Sequence, residues 1–581
     1  MIESLKNTYE PDFDVIFVTY NSEKWLEGNL NSFHKLDYDL KKLHLYYYDN
    51  GSSDNTVKFL KEYKLKNDFG DFEVIPGRRN IGFGRGNNKA AKRGHSKYIL
   101  FLNADTKVKS DTFSKLAESI QSAEDRVGAF ELRQCPYEHP KYYDPVTGYT
   151  PWSSGACLVI KRDVFEKVHG FDKHLFMYCE DVDISWAIRA EGYKLQYLYH
   201  ASVDHFSYAS PGEFKPTQYI YGYVNNLYLR CKYGQLKNVM KGHELVLKAI
   251  LRNQARYAVP DIEYKQISKK MRRAYLRMIL PRLSARLHKH LHHRTAVKNG
   301  FSPLFHNRLD YFEQKQDPFF TMPECKVNDL VSIIIRTCGR PDTLRETLLT
   351  IRKQSYQNLE VIIIEDGKSI SKDMIDSEFS DLNIKYKATE KKVGRSKAGN
   401  IGLSMANGEY LNFLDDDDVF YPDHIEALLK TAKQNSQKIV YSGAFETGIE
   451  KISMNPYRYK IDYIAQLQNG HYSRIRLCRK NLFPIQSVLF HRSVYKKCGG
   501  FDESMEGLED WDFWLNVAFH DFDFYYMPHT TSIYRVPSIP SEIQSRANAI
   551  NAYQKHLQDK WKNQEIKFTF MDLYYDDPSK N

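Results

Sequence analysis

Four aspartates, Asp415 to Asp418, stand in a row directly after the apolar segment "YLNFL", which is typical of a buried strand. Like charges at a strand end repel one another unless a cation offsets them. One interpretation is an acidic turn that caps the following helix. The other is a metal site, because Asp415 and Asp417 alternate around a tight turn and can face one point. Oxygen ligands without a soft ligand favour Mg²⁺ or Mn²⁺, which would be bound together with a diphosphate.

A second acidic pattern occurs twice, as "EDVD" (180–183) and "EDWD" (509–512), and each copy opens an amphipathic helix. Acids in a first helical turn are favoured by the helix dipole, which explains the pattern without any function. The alternative is a general base that removes the proton from an attacking hydroxyl group. Crowding two carboxylates raises the pKa of one of them, which suits that role.

Two basic segments rich in Gly and Asn form a third pattern. "IGFGRGNN" contains Arg85 and Asn87, and "GRSKAGN" contains Lys397 and Asn400. The first resembles the GxGxxG fingerprint of dinucleotide-binding proteins, but it precedes the acidic strand instead of following it. We interpret both segments as loops that supply backbone N–H groups and a cation to a nucleotide. A dinucleotide oxidoreductase is therefore disfavoured.

The elements that must position these groups also occur twice. A strand ("DVIFVTYN", "VSIIIRTCGRP") is followed by a helix, a second strand with an acid at its end, the basic segment, the acidic strand and the ED helix. Corresponding copies lie roughly 310–330 residues apart and keep the same order, which indicates a duplication. Alternating strands and helices predict an α/β fold with mostly parallel sheets, in which ligands bind beyond the carboxyl ends of strands. Each copy should therefore carry one site.

These motifs together resemble glycosyltransferase family 2, whose members are inverting enzymes with the GT-A nucleotide-sugar fold. "FVTYN", "DNGSSDNT", "LNAD" and "EDVDISWAIRAEGY" carry the resemblance in the first copy, and "IIIRTCGRPDTL", "IIEDG", "FLDDDD" and "GLEDWDFWL" carry it in the second. The resemblance implies two GT-A (Rossmann-like nucleotide-sugar-binding) domains joined by a basic helical segment. The expected boundaries are 1–210 for the first domain, 211–325 for the joining segment, 326–540 for the second domain and 541–581 for a helical tail.

The resemblance also implies roles for individual residues. The catalytic bases would be Asp181 and Asp510, with Glu180 and Glu509 beside them. The metal ligands would be Asp105, His205, Asp415, Asp417 and His529. The residues that bind the nucleotide sugar would be Thr19, Asp49, Arg85, Asn87, Asn103, Thr337, Asp366, Lys397, Asn400 and Asp416.

The implied reaction is a direct displacement, in which an acceptor hydroxyl attacks the anomeric carbon from the face opposite the nucleotide. "GFGRGNN" with "LNADT" is similar to the rhamnosyltransferase branch, so the expected donors are dTDP-rhamnose for the first domain and a UDP-sugar for the second. Two such domains are similar to bacterial capsule and O-antigen polymerases that extend a glycan or lipid-linked acceptor.

Two other functions stay open. Asn103 stands where the second copy has Asp415, so the first domain could instead be a glycan-binding module without activity. A nucleotidyltransferase on a related fold is the other alternative, although it gives the ED pairs no purpose.

The formal net charge of +10 arises from the middle of the chain, because Lys and Arg far outnumber Asp and Glu between Lys241 and Lys298. The pattern predicts helices with apolar and basic faces, interrupted at Pro281. They would form either a connecting bundle or a surface that rests on an anionic membrane. No nucleic-acid fold signature occurs. Eight Cys without a CxxC pair, no signal peptide and no long apolar run predict a cytoplasmic protein, peripheral on the inner face of the membrane.

Overall fold

The computed structural model describes residues 9–65, 68–208, 210–253, 259–291, 303–305, 308–309, 315, 319–454, 457–467 and 470–576. The chain forms two compact units, residues 1–312 and 313–581. Each unit contains a mixed sheet with helices around it, so the predicted α/β class is confirmed.

Among its described residues the first unit combines an eight-stranded sheet and a two-stranded sheet with ten α-helices. Its strands are β1 (Phe13–Thr19), β2 (Leu43–Asp49), β3 (Asp71–Pro76), β4 (Tyr98–Leu102), β5 (Thr106–Val108), β6 (Val127–Cys135), β7 (Cys157–Lys161), β8 (Lys194–His205), β9 (Leu304–Phe305) and β10 (Arg308–Leu309). Its helices are α1 (Glu23–Phe33), α2 (Thr56–Lys64), α3 (Phe83–Ala91), α4 (Thr112–Ser122), α5 (Arg162–Lys167), α6 (Glu180–Ala190), α7 (Pro216–Tyr233), α8 (Leu236–Leu251), α9 (Asp261–Arg277) and α10 (Ile279–Leu291).

The strand order of the first sheet is β3-β2-β1-β4-β7-β6-β8-β5. Strands β1 to β4 run parallel to one another, whereas β7 is antiparallel to β4 and β6, and β5 is antiparallel to β8. Strand β1 is apolar along almost its whole length because helices cover both faces of the sheet. The carboxyl ends of β1, β2 and β4 therefore meet at one rim.

Helices α7 to α10 pack around an apolar core of their own within the first unit, which includes Leu227, Val246 and Met271. Helix α9 ends at Arg277, and α10 starts two residues before Pro281. A proline is tolerated in a first helical turn but not in a helix interior, so the predicted interruption is confirmed.

The second unit repeats the architecture. Its strands are β11 (Val331–Thr337), β12 (Leu359–Glu365), β13 (Ile384–Ala388), β14 (Tyr410–Asp415), β15 (Val419–Phe420), β16 (Ile439–Met454), β17 (Tyr457–Gln466), β18 (Val488–His491) and β19 (Tyr525–Pro537). Its helices are α11 (Pro341–Arg352), α12 (Lys372–Glu378), α13 (Arg395–Met405), α14 (His424–Gln434), α15 (Arg474–Arg479), α16 (Arg492–Cys498), α17 (Glu509–Phe519), α18 (Pro540–Trp561) and α19 (Phe570–Asp576).

The second sheet has the order β13-β12-β11-β14-β18-β16-β19-β15, strand for strand the order of the first sheet, with β17 added beside β16. Because the order and strand directions agree, the two units share one topology, as the sequence repeat predicts. Helix α18 lies against the second unit through Leu557, which belongs to an apolar core together with Phe513 and Trp514. The expected four-segment division stays a prediction, since α7–α10 fall in the first compact unit and α18–α19 in the second.

Candidate active site

The rim of the first sheet begins with Thr19 and Asp49, which end β1 and β2. The Thr19 hydroxyl donates to Asp49 Oδ1 at 3.2 Å, and both side chains are buried. Asp49 Oδ2 accepts from the backbone N–H groups of Gly51 and Ser52 at 2.9 Å each. Asp49 therefore shapes the loop after β2. The next residue, Asn50, reaches the basic segment by accepting from the Ile81 N–H at 3.1 Å.

In the second sheet, the residue that corresponds to Asp49 lies one position before the predicted Asp366. Thr19 lies opposite Asp49 in the β1–β2 ladder, and Thr337 lies opposite Glu365 in the β11–β12 ladder. Glu365 is thus the counterpart of Asp49, and it also accepts from loop N–H groups. Asp366 instead corresponds to Asn50, and accepts from the N–H groups of Val393 at 2.6 Å and Gly394 at 3.0 Å.

The basic segments are aligned by their helices, α3 and α13, which both start after a glycine with φ of 95°. This alignment makes Asn88, not Asn87, the counterpart of Asn400. Asn88 exchanges hydrogen bonds with the backbone of Phe171, and Asn400 makes the same pair of bonds with Phe501. Their amide groups hold the segments that contain Phe171 and Phe501.

The other predicted cations and amides of these segments also contact protein. Arg85 Nε donates to the Lys173 carbonyl at 2.6 Å, and Asn87 is buried with its amide donating to the Phe83 carbonyl. Lys397 lies 3.6 Å from Glu503. Each of these three side chains therefore has a contact within the protein, and their part in nucleotide binding stays a prediction.

Asp105, Asn103 and His205 come together at the end of β4. His205 Nε2 lies 3.4 Å from Asp105 Oδ1 and 3.4 Å from Asn103 Nδ2. His205 Nδ1 lies 2.7 Å from Gln134 Oε1, which orients the ring. Burial acts to raise the pKa of Asp105, but the hydrogen bond to His205 and the charges of His205 and Lys215 together lower it.

The aspartate row of the second unit is held by two arginines. Arg336 Nη2 donates to Asp415 Oδ1 at 2.7 Å, and Arg340 donates to both Asp416 and Asp417. Asp416 is fully buried and also accepts from the Thr337 hydroxyl at 2.6 Å. Burial opposes ionisation of Asp415, but the Arg336 charge lowers its pKa. Guanidinium groups therefore offset the like charges that the sequence places here.

The strand register decides which residue corresponds to His205. His205 lies opposite Thr106 in the β5–β8 pair, directly after Asp105, whereas Ile533 lies opposite Val419 in the β15–β19 pair. This register places Tyr534 opposite Asp418, in the position of His205. His529 lies five residues earlier, where its Nε2 bonds Asp423 at 2.8 Å and its ring stacks on Phe320. The structure thus places Tyr534, and not His529, beside the aspartate row.

The ED pair of the first unit lies at the start of α6. Asp181 Oδ2 accepts from the Gly155 N–H at 3.1 Å, while Glu180 Oε2 is buried without a hydrogen-bond partner among the described residues. Burial raises the pKa of Asp181, and burial together with the Asp181 charge raises that of Glu180 far more. The loop that carries Gly155 is held at the preceding residue, because Glu131 accepts from the Ser154 N–H. Glu131 also pairs with Lys141.

The ED pair of the second unit has the same place at the start of α17 but different partners. Glu509 Oε1 accepts from Arg336 Nη1 at 3.0 Å, so one guanidinium joins Glu509 to Asp415. Asp510 Oδ2 accepts from the Asn481 amide at 2.7 Å. Burial, with the Glu509 charge, raises the pKa of Asp510 to about 6. A carboxylate with that pKa is ionised at neutral pH yet basic enough to take a proton.

Two adjoining cavities gather these residues in the second unit. A cavity of about 230 Å³ is lined by Thr337, Asp366 and Asp415, and by the cations Lys392 and Arg395. A larger one of about 840 Å³ is lined by Asp415, Asp417, Glu509 and Asp510. The two share Asp415, Arg336, Arg340, Arg395 and Glu506. Predicted nucleotide residues thus border the smaller cavity, and the ED pair borders the larger one.

The donor sets fit a divalent ion in different ways. The side chains of Asp415 and Asp417 are 29% exposed beside the cavity, so each presents carboxylate oxygen to a hard ion. In the first unit Asp105 and His205 are adjacent, and the imidazole is oriented by Gln134 as in many metal sites. Within the described ranges no three carboxylate, imidazole or thiol groups form a metal-binding cluster. An ion would therefore need oxygen atoms of a bound nucleotide sugar or of water to complete its coordination shell.

Several residues of this site were missed by reading the sequence. Arg336 lies inside an apolar strand, and a charged residue at such a position was the signal that could have marked it as a site residue. Arg340 and Arg395 lie within quoted motifs but were given no role there, and Asn481 lies in no motif, so only the fold brings the three to the acids. Tyr534 and the α18 residues that border the larger cavity follow every recognised motif, so spacing could not reveal them.

Comparison with known proteins decides the family. The sequence model described as glycosyl transferase family 2 matches residues 14–185 and 332–498, which together make up more than half of the chain. The chain belongs to glycosyl transferase family 2. The match falls once in each unit and covers most strands of both sheets, including β4 and β14 with the acids at their ends, but not β8 or β19. The prediction of two tandem GT-A, Rossmann-like domains is thereby confirmed.

Curated relatives of this family member match over one domain's length. An uncharacterized glycosyltransferase of Rickettsia typhi is 32% identical over 203 residues, which are 33% of this chain and 60% of that protein. The uncharacterized glycosyltransferase YwdF of Bacillus subtilis is 29% identical over 189 residues, covering 32% of this chain and 68% of YwdF. The match thus spans about 60% of the length of the first of these relatives.

Solved structures of similar fold are remote in sequence. The mannosyltransferase PcManGT of Pyrobaculum calidifontis, in complex with GDP-Man and Mn²⁺, has a TM-score of 0.33 and 17% identity, covering 49% of this chain and 89% of PcManGT. Residues 1–349 of TarS from S. aureus, in complex with UDP-GlcNAc, have a TM-score of 0.33 and 14% identity, covering 41% and 68%.

The raised pKa of Asp510 predicts a pH-dependent stability. The folded value is about 6 against 3.8 for an unperturbed aspartate, so ionisation weakens the fold. The cost is absent below about pH 4, grows between the two values and is complete above about pH 6. Asp510→Asn should therefore raise the free energy of unfolding by up to about 3 kcal/mol at pH 8 but by only about 1 kcal/mol at pH 4.5. Denaturant titration at both pH values measures this.

The matched control is Asp376→Asn, which removes an exposed carboxylate paired with Lys372 on α12. It should change stability by less than about 0.5 kcal/mol at either pH. Equal stabilisation by Asp510→Asn at pH 4.5 and pH 8 would contradict the assignment.

Proposed function

We propose that this chain is a bifunctional inverting glycosyltransferase whose two units each transfer one sugar from a nucleotide-sugar donor to a growing glycan. The observation that carries the proposal is the shared topology, which puts an acidic rim and an ED pair at the same places in both units. In the second unit a continuous pair of cavities joins them. Donor and acceptor must meet between a phosphate-binding rim and a base, and this arrangement provides both.

Asp510 and Asp181 are the proposed bases. Each starts a helix, so its side chain sits where the helix dipole favours negative charge. Asn481 or the Gly155 N–H holds one carboxylate oxygen, which fixes the direction in which the carboxylate can accept a proton. The acceptor hydroxyl would lose its proton to this carboxylate as the hydroxyl oxygen attacks the anomeric carbon. One displacement inverts the configuration.

The donor's nucleotide is proposed to lie at the ends of β11 and β12, against Thr337 and Asp366, with Asp416 supporting Thr337 from behind. Lys392 and Arg395 border the same space and would face the diphosphate. In the first unit Thr19 and Asp49 are proposed to contact the nucleotide, and Asn103 is proposed to lie nearer the sugar. A divalent ion, when bound at Asp415 and Asp417 or at Asp105 and His205, would offset the charge that develops on the departing diphosphate.

For the donors we keep dTDP-rhamnose in the first unit and a UDP-sugar in the second, on the strength of the sequence motifs. The acceptor we propose is a glycan or lipid-linked intermediate of a bacterial surface polysaccharide such as capsule or O-antigen. Incubating the full chain with dTDP-, UDP- and GDP-sugars and Mn²⁺ or Mg²⁺, and following nucleotide release, identifies the two donors. The chain would then act at the cytoplasmic face of the membrane.

The two-site proposal predicts that Asp181→Asn and Asp510→Asn each remove a different transfer. Loss of a general base lowers the rate of its own step by about 10²–10⁴-fold and leaves the other step intact. Mass spectrometry of the products made from a mixture of both donors measures each addition. The control is Asp376→Asn, which lies on the exposed surface of α12.

The same experiment tests the second candidate, in which one unit only binds glycan. Asn103 favours it for the first unit, since an amide carries less charge than the aspartate of the second unit. If Asp181→Asn leaves every product unchanged while Asp510→Asn stops all transfer, the first unit is the binding module.

The metal assignment predicts an effect of Gln134, which does not touch the ion. Gln134→Leu removes the partner of His205 Nδ1, so the imidazole loses its orientation. Loss of such a partner typically weakens metal binding by about 10–100-fold. Titration of Mn²⁺ by electron paramagnetic resonance in the presence of dTDP measures it, with His200→Ala, a histidine that bonds Ser119 on α4, as the control. Unchanged Mn²⁺ affinity in Gln134→Leu would remove His205 from the site.

Membrane association is proposed for α9 and α10. Leu280 is 77% exposed, and Leu283 and Leu287 lie on the same face of α10 at helical spacing with 62% and 60% exposure. Exposed cations of α9 adjoin them, namely Lys269, Lys270, Arg272, Arg273 and Arg277. An apolar face beside cations suits an anionic bilayer surface. No helix among the described residues has both the length and the hydropathy needed to cross a membrane.

The proposed surface predicts binding to vesicles that contain phosphatidylglycerol. Leu280→Glu with Leu283→Glu removes buried apolar area and adds repulsion, and should weaken binding by about tenfold or more. Co-sedimentation with phosphatidylglycerol vesicles measures it, and pure phosphatidylcholine vesicles should bind weakly. Leu65→Glu, at a leucine 84% exposed after α2, is the control. Equal co-sedimentation of all three proteins would refute the surface.

A further inference from the structure

A contact network beyond the family match is repeated in the two units. Helix α7 follows β8 and ends in Lys232-Tyr233, and α18 follows β19 and ends in Lys560-Trp561. Both helices begin with a proline in the first turn. They lie outside the residues that define the family, 14–185 and 332–498, so the duplicated structure is longer than the duplicated motifs.

In the first unit the lysine joins two acids. Lys232 Nζ lies 3.0 Å from Asp172 Oδ2 and 2.7 Å from Asp183 Oδ1. The Tyr233 hydroxyl donates to the same Asp183 oxygen at 3.0 Å. Asp183 is buried, so the carboxylate depends on these donors.

The second unit makes the same contacts with equivalent residues. Lys560 Nζ lies 2.6 Å from Asp502 Oδ2 and 2.8 Å from Asp512 Oδ2. The Trp561 ring N–H donates to Asp512 Oδ1 at 2.8 Å. Asp502 and Asp172 both belong to a "GFD" sequence, and Asp512 and Asp183 are the last acids of the two ED segments. A lysine followed by an aromatic donor thus recurs with the same pair of acids.

The acid at the centre of each network lies on the helix of the proposed base. Asp512 follows Asp510 by two residues on α17, and Asp183 follows Asp181 by two residues on α6. Lys560 therefore fastens the C-terminal end of α18 to the first turn of α17. Any change in the position of α18 is transmitted to the helix turn that carries the base.

The other half of α18 forms a wall of the larger cavity. Its lining residues recur at helical spacing and so share one face: Glu542, Ser545, Arg546, Ala549 and Ile550. Asp510, Asn481 and Phe483 border the same cavity. Carboxylate, hydroxyl and guanidinium groups around one cavity suit a sugar, because a sugar carries hydroxyl groups around its ring.

We propose that α18, and α7 as its counterpart, is the acceptor-binding wall of its catalytic unit, and that Lys560 and Lys232 are positioning residues that lock this wall to the base-bearing helix. The inference rests on the proposed glycosyl transfer and deepens it, because it names where the acceptor lies. The acceptor sugar is placed between the α18 face and Asp510, with its attacking hydroxyl toward the base. The nucleotide end of the donor does not touch α18, since no α18 residue borders the smaller cavity as its lining is described.

A bulky substitution on the wall tests the acceptor site. Ala549→Trp fills the space beside Asp510 and should raise the acceptor KM or lower transfer by the second unit about tenfold or more. Binding of UDP with Mn²⁺, measured by calorimetry, should stay within about twofold because UDP occupies the other cavity. Asn551→Trp is the matched control, since Asn551 is exposed on the opposite face of the same helix. Acceptors are p-nitrophenyl glycosides of glucose, galactose, N-acetylglucosamine and rhamnose.

Removing the lysine tests the lock. Lys560→Met should lower second-unit transfer several-fold and shift its pH profile, because the turn that carries Asp510 loses its anchor, while the first-unit transfer is unchanged. Lys555→Met, an exposed lysine on the same helix, should behave as the natural chain. Lys560→Arg, which keeps the charge, should restore most of the activity and the pH profile. A purely structural role would lower the melting temperature of Lys560→Met without moving the pH profile.

The outcomes separate the two proposals. If the natural chain transfers sugar and Ala549→Trp transfers equally well to every acceptor, the wall assignment is overturned and the proposed function stands. If the natural chain transfers no sugar from any donor, the proposed function fails. If Ala549→Trp and Asn551→Trp lose transfer equally with unchanged UDP binding, the wall is likewise overturned.

Discussion

Ionised carboxylates gathered at the rim of a sheet are costly, and the two units offset that cost differently. In the second unit Arg336 lies 7% exposed between Asp415 and Glu509, and Arg340 pairs with Asp416 and Asp417. One arginine thereby ties the fourth strand of the sheet to the helix that starts with the ED pair. Because breaking such a buried pair leaves an uncompensated charge, the rim and the helix keep a fixed separation.

The first unit reaches the same arrangement with less charge. Val18 stands in the ladder position of Arg336, and Asn103 replaces the first aspartate. Among the described residues Glu180 Oε2 has no hydrogen-bond partner, and burial raises the pKa of this carboxyl well above its usual value. The remaining acid, Asp105, is paired with His205. One topology thus supports two different charge balances at the rim of the sheet.

Sequence patterns were sufficient for the architecture but not for the register within it. Apolar runs followed by carboxylates predicted Asp105 and Asp415 at strand ends, and both ED pairs could be predicted as acids that open amphipathic helices. Equivalences between copies failed by one to five residues, at Asp49, Asn87 and His529, because loops and strand ladders decide which residue faces the rim. Arg336 was hidden inside an apolar strand. The α18 wall carries no motif, because its role comes from tertiary contacts alone.

The Lys560 network also sets where a working half of this chain can end. A fragment cut at residue 498, where the family match stops, would lack α17 and its ED pair. One cut after β19 would keep every recognised motif but leave Asp512 buried without its lysine. Such a fragment would expose the apolar core residues that Leu557 covers, and we expect it to aggregate. Swapping domains between relatives should therefore carry each trailing helix along with its sheet.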